Sequence, residues 1–271
     1  MTAPLLEVRH VRKVYEGRAR VVEAIGDLSF ACAAGELVCI VGPSGAGKTT
    51  LLRCVAGLIA PTSGEVVLAG ARVAGPPAGM AVVFQDYGRS LFPWLTVERN
   101  VALPLAAKQL PGPQVRRRAR AALAEVGLGD VLAAYPWQLS GGMQQRVAIA
   151  RAIAYEPKIL VMDEPFAAVD AQSRADLEDL TRRLWQRHGV TVVFVTHDID
   201  EAVYMGQRVL ILSASPTTLI EDLAVDLPAE RDQLTTRSSP RFAELRARVY
   251  AQIQRARQPR GAAVGPAPGA G

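Results

Sequence analysis

Two glycine-bearing runs carry the clearest chemistry in the sequence: GPSGAGKTT, from Gly42 to Thr50, and LSGGMQQRVAIARA, from Leu139 to Ala152. The first satisfies the spacing G-x-x-x-x-G-K-[ST]. Gly42, Gly45 and Gly47, with Pro43, Ser44 and Ala46 between them, let the backbone curl so that successive N–H groups face one anion. Lys48 adds a charge near the β- and γ-phosphates of a nucleotide. Thr49 offers a hydroxyl to Mg²⁺, and Thr50 continues into a helix whose positive end points at the same place. In the second run Ser140 and the bare backbone of Gly141 and Gly142 open another helix, so hydroxyl, N–H groups and helix dipole form a second anion site.

Other polar residues sit where apolar runs stop. ILVMDE ends in Asp163 and Glu164, and such an end places a carboxylate at the carboxyl edge of a sheet, where nucleotides bind. Asp163 there would hold Mg²⁺ through water, and Glu164 would be the base that polarises an attacking water. A signalling GTPase or a small-molecule kinase needs no such glutamate, so the pair points to hydrolysis; an ordinary strand end before a turn is the plainer alternative. VTHD puts His197 at the end of another apolar run, where an imidazole can donate to a γ-phosphate oxygen. Taken alone it would more often be a structural hydrogen-bonding residue, and its place after the acid strand reverses that preference. His10 and His188 have surface-like surroundings. Gln85 closes MAVVFQ, within reach of Mg²⁺ or the water, or else it is a plain junction residue.

These residues need a frame to hold them. The chain has 271 residues, 49% hydrophobic and 21% charged, which suffices for one large domain with a sizeable core. ELVCIVG before the phosphate loop reads as a strand and KTTLLRCVAGL after it as a helix. LLEVRHVRKVYEG and AIGDLSFACAAGE alternate like antiparallel strands. TSGEVVLAGARV reads as a turn and edge strand, and MAVVFQ as a buried strand. From Tyr87 to about Ala154 proline-broken helical segments suggest an inserted helical subdomain. KILVMDEP and VTVVFVTHD are two further buried strands, separated by a helix from about Ala171 to His188. Strands alternating with helices indicate a parallel sheet covered on both faces. PRGAAVGPAPGAG is expected to be a disordered tail.

No apolar run approaches the roughly 18 residues that span a bilayer, and the first residues lack the pattern of a secretion signal. A soluble, cytosolic protein is expected unless something recruits it elsewhere. Cys32, Cys39 and Cys54 have no pairing pattern and read as small buried thiols. The net charge is +5, with a basic run at Arg116 to Arg120. That run could face nucleic acid or an anionic membrane, but a solvated helix face is the plainer reading, and no specific nucleic acid is expected.

Taken together, GPSGAGKTT, Gln85, LSGGMQQRVAIARA, ILVMDEP, AAVD and VTHD resemble the ATP-binding-cassette (ABC) ATPases in order and spacing, over about residues 5–230. The resemblance implies an α/β P-loop NTPase with a RecA-like parallel core, an N-terminal antiparallel β-subdomain and an inserted α-helical subdomain. It implies ATP and Mg²⁺, and a head-to-tail pair of cassettes in which each ATP on one phosphate loop is capped by Ser140, Gly141, Gly142 and Gln144 of the other copy. Tyr15 matches the aromatic residue that stacks on adenine, though it could simply be a strand aromatic. Asp170 matches an aspartate that touches the opposite subunit. The family often has Ser-Ala-Leu-Asp where this chain has Ala167-Ala168-Val169-Asp170, so a serine contact is lost there and the aspartate is kept.

The chain resembles most the cassettes of nitrate, sulfonate and taurine importers, through FQDYGRSLFPWLTVERNVALPL and LPAERDQLTTRSSPRFAELRARVYAQI. That implies an ATPase at the cytoplasmic face of the membrane, energising entry of a small anionic solute. Its partners would be a second copy of itself, a permease met by the Gln85–Val97 region and, indirectly, an external solute-binding protein. The implied division is a cassette over residues 1–230 with its helical subdomain at about 87–155, a helical extension over 231–258 and the tail over 259–271. The alternative is a cassette ATPase acting on nucleic acid or another cytosolic complex.

Overall fold

The computed structural model describes residues 3–17 and 20–257. The tail assigned above to 259–271 lies outside the described residues. β1 (Leu6–Glu16), β2 (Val21–Cys32) and β3 (Leu37–Val41) lead into α1 (Lys48–Val55). β4 (Ser63–Leu68), β5 (Ala71–Arg72) and β6 (Met80–Val83) follow. Between β6 and the next strand lie α2 (Tyr87–Ser90), α3 (Val97–Ala102), α4 (Gly112–Glu125) and α5 (Gly141–Ala154), with short 3-10 turns between them. The chain then runs through β7 (Ile159–Asp163), α6 (Ala171–His188), β8 (Thr191–Val195), α7 (Ile199–Met205), β9 (Arg208–Leu212), β10 (Thr217–Ala224) and α8 (Pro240–Arg257).

The strands form one sheet in the order β5-β4-β1-β2-β10-β9-β3-β8-β7-β6. β9, β3, β8, β7 and β6 run parallel to one another, and β1, β2, β4 and β5 run antiparallel among themselves. Every residue of β3, β7 and β8 is buried, as strands covered on both faces must be. Because side chains alternate, Leu37, Cys39, Val41, Leu160, Met162, Val192 and Phe194 enter a core shared with the later helices. Val38, Ile40, Ile159, Val161, Val193 and Val195 enter a second core with α1 and the N-terminal strands.

The helix expected between Ala171 and His188 has those limits in the structure. Asp170 caps its start by accepting from Ser173 N at 2.9 Å, and Gly189 (φ 59°) ends it. Sequence reading stopped at two strands after the insertion and did not identify β9, β10 or α7. The consequence is structural: β10 runs antiparallel to β9 and parallel to β2, so it joins the N-terminal strands and the parallel strands into one continuous sheet.

The basic run lies on α4, where Arg118 pairs with Glu156 and Arg120 with Glu98, both at 2.7 Å. Those pairs hold two of its charges against the chain's own carboxylates. All three cysteines are buried thiols, and burial pushes Cys32 up to about 12. Among the described residues, no helix is long and apolar enough to cross a membrane.

Glu201, on α7, is the most perturbed acid. Burial pushes its carboxyl up to about 8, opposed in part by a hydrogen bond from Thr196. The folded chain therefore holds a proton that the unfolded chain releases at a lower pH. The associated stability is fully present below the ordinary glutamate range and is lost as pH rises towards 8. The melting temperature should fall between pH 5 and 8 by about 3 °C or more, and Glu201→Gln should flatten that slope. An unaltered slope in thermal scans of the variant would refute this assignment.

Candidate nucleotide site

The phosphate loop follows β3 and enters α1 with Gly47 as N-cap in the left-handed region, φ 74°. A Cβ there would stand 2.8 Å from Ala24 O, so position 47 requires glycine for both conformation and space. Gly42 meets a different demand: a Cβ would lie 3.1 Å from Leu212 Cβ, so its bareness permits close approach to β9. Lys48 is buried, and its Nζ donates to Gly42 O at 2.9 Å and Pro43 O at 3.2 Å. Burial lowers its pKa, opposed by the nearby carboxylates of Glu164 and Asp163.

A cavity of about 780 Å³ opens over this loop, lined by Gly42, Ser44, Gly45, Ala46, Gly47, Lys48, Thr49 and Thr50, together with Glu164 and His197. That volume lies within the range of small-ligand sites. Pro43 is buried and holds its place in the loop through its carbonyl, which accepts from Ala46 N at 3.1 Å and from Lys48.

Asp163 closes β7 opposite Val195 of β8, and both strands end at the same edge. Burial raises its pKa, the largest opposing effect being a hydrogen bond with the Thr49 side chain. Its Oδ1 is buried and has no hydrogen-bond partner among the described residues. Thr49, Gln85 and Asp163 line a second cavity of about 190 Å³ with Arg53 and Asp86. A hydrated divalent cation fits that donor set, since a hydroxyl, a carboxamide oxygen and a carboxylate are hard oxygen ligands and the unpartnered Oδ1 needs a donor.

Glu164 turns away from the strand in the left-handed region, φ 43°, while its N–H donates to Val195 O at 2.8 Å. Such backbone strain in a residue with a Cβ costs of order 1 kcal/mol. The result is a side chain facing the phosphate loop. Its Oε2 accepts from Gln85 Nε2 at 3.2 Å and from His197 Nδ1 at 3.0 Å, whereas Oε1 has no partner among the described residues. Residues from three strand ends thus meet on one carboxylate beside Lys48.

The second glycine run is elsewhere. Ser140 caps α5 by accepting from Met143 N at 3.3 Å, and Ser140, Gly141, Gly142 and Gln144 do not line the phosphate cavity. A Cβ on Gly142 would touch Ser173 at 3.3 Å, so the start of α5 adjoins the start of α6, where Asp170 is the cap. Gln144 donates to Leu139 O at 3.2 Å. Tyr15, 40% exposed, puts its hydroxyl 3.4 Å from Thr50 Oγ1, with Lys13 Nζ 5.2 Å from its ring centre. The structure therefore gathers the phosphate loop, Gln85, Asp163, Glu164 and His197, places Tyr15 beside the loop, and leaves the LSGG run and Asp170 apart.

Several contributors escaped sequence reading. Thr217 shares its one hydroxyl hydrogen between Ala46 O of the loop and Ala24 O of β2 at 3.0 Å. Ser215 donates to Glu23 O at 2.8 Å and lines the cavity with Val22, Ala24 and Ile199. Nothing marked these residues, because their role comes from β10 lying beside β2. Tyr250, Ile253 and Gln254 of α8 also line the cavity.

A strand, a phosphate loop, a helix and an acid pair at the carboxyl edge of a parallel sheet define a P-loop nucleotide-hydrolysing domain. Comparison with known proteins is more specific. Residues 25–167 match the family described as ABC transporter. The chain is 44% identical over 230 residues to the nitrate import ATP-binding protein NrtD of Synechocystis, covering 84% of this chain and 85% of that protein. It is 44% identical over 252 residues to the aliphatic sulfonates import ATP-binding protein SsuB 2 of Burkholderia cenocepacia, covering 93% and 88%. A dimeric structure of the ATP-binding cassette MJ0796, in a post-hydrolysis state bound to ADP and Pi, superposes with a TM-score of 0.73 at 33% identity, covering 82% of this chain and all of that one. The chain belongs to the ABC transporter family, as an ATP-binding subunit that hydrolyses ATP.

The Thr217 bridge carries a prediction. Thr217→Val keeps the shape and removes the donor, leaving loop and strand carbonyls short of a partner at a cost of about 1–3 kcal/mol. The melting temperature should drop by about 3–8 °C, and calorimetric ATP affinity should weaken with it. Wild-type values for both would show that the bridge does not support the loop.

Proposed function

We propose that this protein is the energising subunit of an importer for a small anionic solute of the nitrate, sulfonate or taurine kind. The observation that carries the hydrolytic part is the Glu164 carboxylate, held by Gln85 and His197 over the cavity that contains Lys48. The solute class rests on the names of NrtD and SsuB 2. The ion-paired arginines of α4 favour a solvated face over a nucleic-acid surface.

In this reading the backbone amides of Gly42 to Thr50 and the ammonium of Lys48 bind the β- and γ-phosphates, and Tyr15 supports the adenine. Thr49, Gln85 and, through water, Asp163 would hold Mg²⁺, which when bound neutralises charge on the phosphate oxygens. With Oε2 occupied by two donors, Glu164 keeps Oε1 for the attacking water. The water oxygen bonds to the γ-phosphorus, its proton passes to Glu164, and the bond from that phosphorus to the β–γ bridging oxygen breaks, giving ADP and phosphate. If His197 Nδ1–H is committed to Glu164, a bond from the same ring to a γ-phosphate oxygen uses Nε2 as donor and needs the imidazolium.

Ser140, Gly141, Gly142 and Gln144 of a second copy would cap the γ-phosphate, with Asp170 at the same interface. Their separation from the chain's own phosphate cavity and the dimeric MJ0796 cassette support this. The permease would dock at the Gln85–Val97 region. There Trp94 is 70% exposed and Phe92 packs edge-on against it at 5.3 Å, while Leu91 and Val97 are buried. Asn100 ties this loop by donating to Phe92 O, Leu95 O and Thr96 O at 3.0–3.2 Å. An external solute-binding protein would deliver the solute, and the subunit would sit peripherally on the cytoplasmic face. The cassette would span residues 1–230, with its helical subdomain at about 87–155 and a helical extension from 231.

Glu164→Gln should retain ATP binding, accumulate an ATP-bound dimer and lose about 10²–10⁴-fold in turnover. Lys48→Ala should weaken ATP binding more than tenfold, roughly the loss of a charged hydrogen bond. Near-normal phosphate release by the first variant would sink the base assignment. Purification of the tagged chain from detergent-solubilised native membranes should bring a polytopic permease with it, and recovery with nucleic acid or ribosomes instead would overturn the importer reading.

A further inference from the structure

The cavity over the phosphate loop has one wall that no motif of the nucleotide site accounts for. α8, far along the chain, contributes Tyr250, Ile253 and Gln254 to the lining that contains Lys48, Glu164 and His197. These three positions have the i, i+3, i+4 spacing of one helix face. Phe242, Leu245, Val249 and Ile253 bury a continuous stripe of the same helix in the core. Around that stripe Arg248 pairs with Glu221 at 2.5 Å, Gln252 donates to Glu221 at 2.7 Å, and Arg246 meets Asp200 of α7 at 3.6 Å. α7 starts straight after His197 and its cap Asp198, so α8 is docked on the helix into which the histidine leads. Its cavity-facing end therefore lies on the acid–histidine side of the site.

Tyr250 is 56% exposed, and neither its hydroxyl nor the Gln254 amide has a hydrogen-bond partner among the described residues. Both groups can donate, and they line a cavity whose other walls present the phosphate-loop backbone and the Lys48 ammonium together with Glu164 and His197. We propose that α8 is part of the nucleotide site: Tyr250 and Gln254 donate to the polyphosphate of bound ATP, so that ATP binding and docking of α8 strengthen each other. This rests on the placement of ATP over the phosphate loop given above. By linkage, any change that loosens α8 from α7 then weakens ATP binding by the factor by which ATP tightens α8.

The test combines calorimetry with hydrogen exchange, using a non-hydrolysable ATP analogue on the full chain. Tyr250→Phe with Gln254→Ala removes two exposed donors and leaves the buried stripe intact. Its dissociation constant should rise about three- to tenfold, the size of one or two net hydrogen bonds, with the melting temperature of the ligand-free chain unchanged. In the wild type the analogue should slow exchange at residues 246–256 as well as at 42–50. Protection at 42–50 alone, with affinity of the double variant within about twofold of wild type, would overturn the proposal and leave the phosphate-loop placement standing. Absence of protection at 42–50 would overturn both.

Discussion

A buried ammonium must find partners, and Lys48 finds them in its own loop, at Gly42 O and Pro43 O. Much of the site depends on this arrangement. The two carbonyls satisfy the lysine without neutralising it, so its charge stays available to an anion while burial disfavours that charge. Two of its three N–H donors are used, which leaves one for a phosphate. The carboxylates of Asp163 and Glu164 offset part of the cost of burial. A loop with glycines at 45 and 47 in the left-handed region can keep its carbonyls on the lysine and its amides outward. Thr217 then pins the loop from behind, through a strand that belongs to neither the phosphate motif nor the acid motif.

The two anion-binding features use the same physics with different outcomes. The phosphate loop ends in α1 beside three polar strand ends. Ser140 opens α5 beside the start of α6, where Asp170 spends one oxygen on Ser173 N and the other on Ser173 Oγ at 2.7 Å. These bonds hold the Asp170 carboxyl below the usual carboxylate range and keep the helix start rigid. The backbone N–H groups at the start of α5, behind the Ser140 cap, suit an anion, whereas the Asp170 carboxylate beside them suits a donor. Within one chain the start of α5 has no such ligand, because the phosphate cavity is lined by other residues. In the proposed pair, the second copy supplies it.

What could be read from the sequence was whatever spacing alone determines. The phosphate loop, the acids after β7, His197 after β8 and the whole of α6 follow from local patterns: an apolar run that stops at a polar residue, or a helix bracketed by Asp170 and Gly189. β10 was not legible, because TTLIEDLA alternates too weakly to mark a strand, and its value comes from lying between β2 and β9. Thr217 and Ser215 share that fate, since neither belongs to a motif and both act through backbone carbonyls of distant strands. Gln85 was legible as a junction, but its bond to Glu164 depends on β6 and β7 being neighbours in register. The α8 wall was invisible for the same reason, although the resemblance implied a helical extension over 231–258.

That dependence on neighbouring strands bears on how the site could transmit its state. The segment from Phe84 to Val97 is tied at its far end by four hydrogen bonds with Asn100, and in the middle by Arg151, which donates to Ser90 O at 2.6 Å and Ser90 Oγ at 2.9 Å. Its near end meets the acid through the Gln85–Glu164 bond, which is exposed, whereas the Asn100 and Arg151 ties are part-buried. A stiff segment with strong ties at one end and a replaceable one at the other responds mainly by moving at the weak tie. A ligand that takes Gln85 from Glu164 would alter that tie first, and because Gly88 packs near Gln144 of α5, the displacement would reach the LSGG helix before the well-tied Asn100 region.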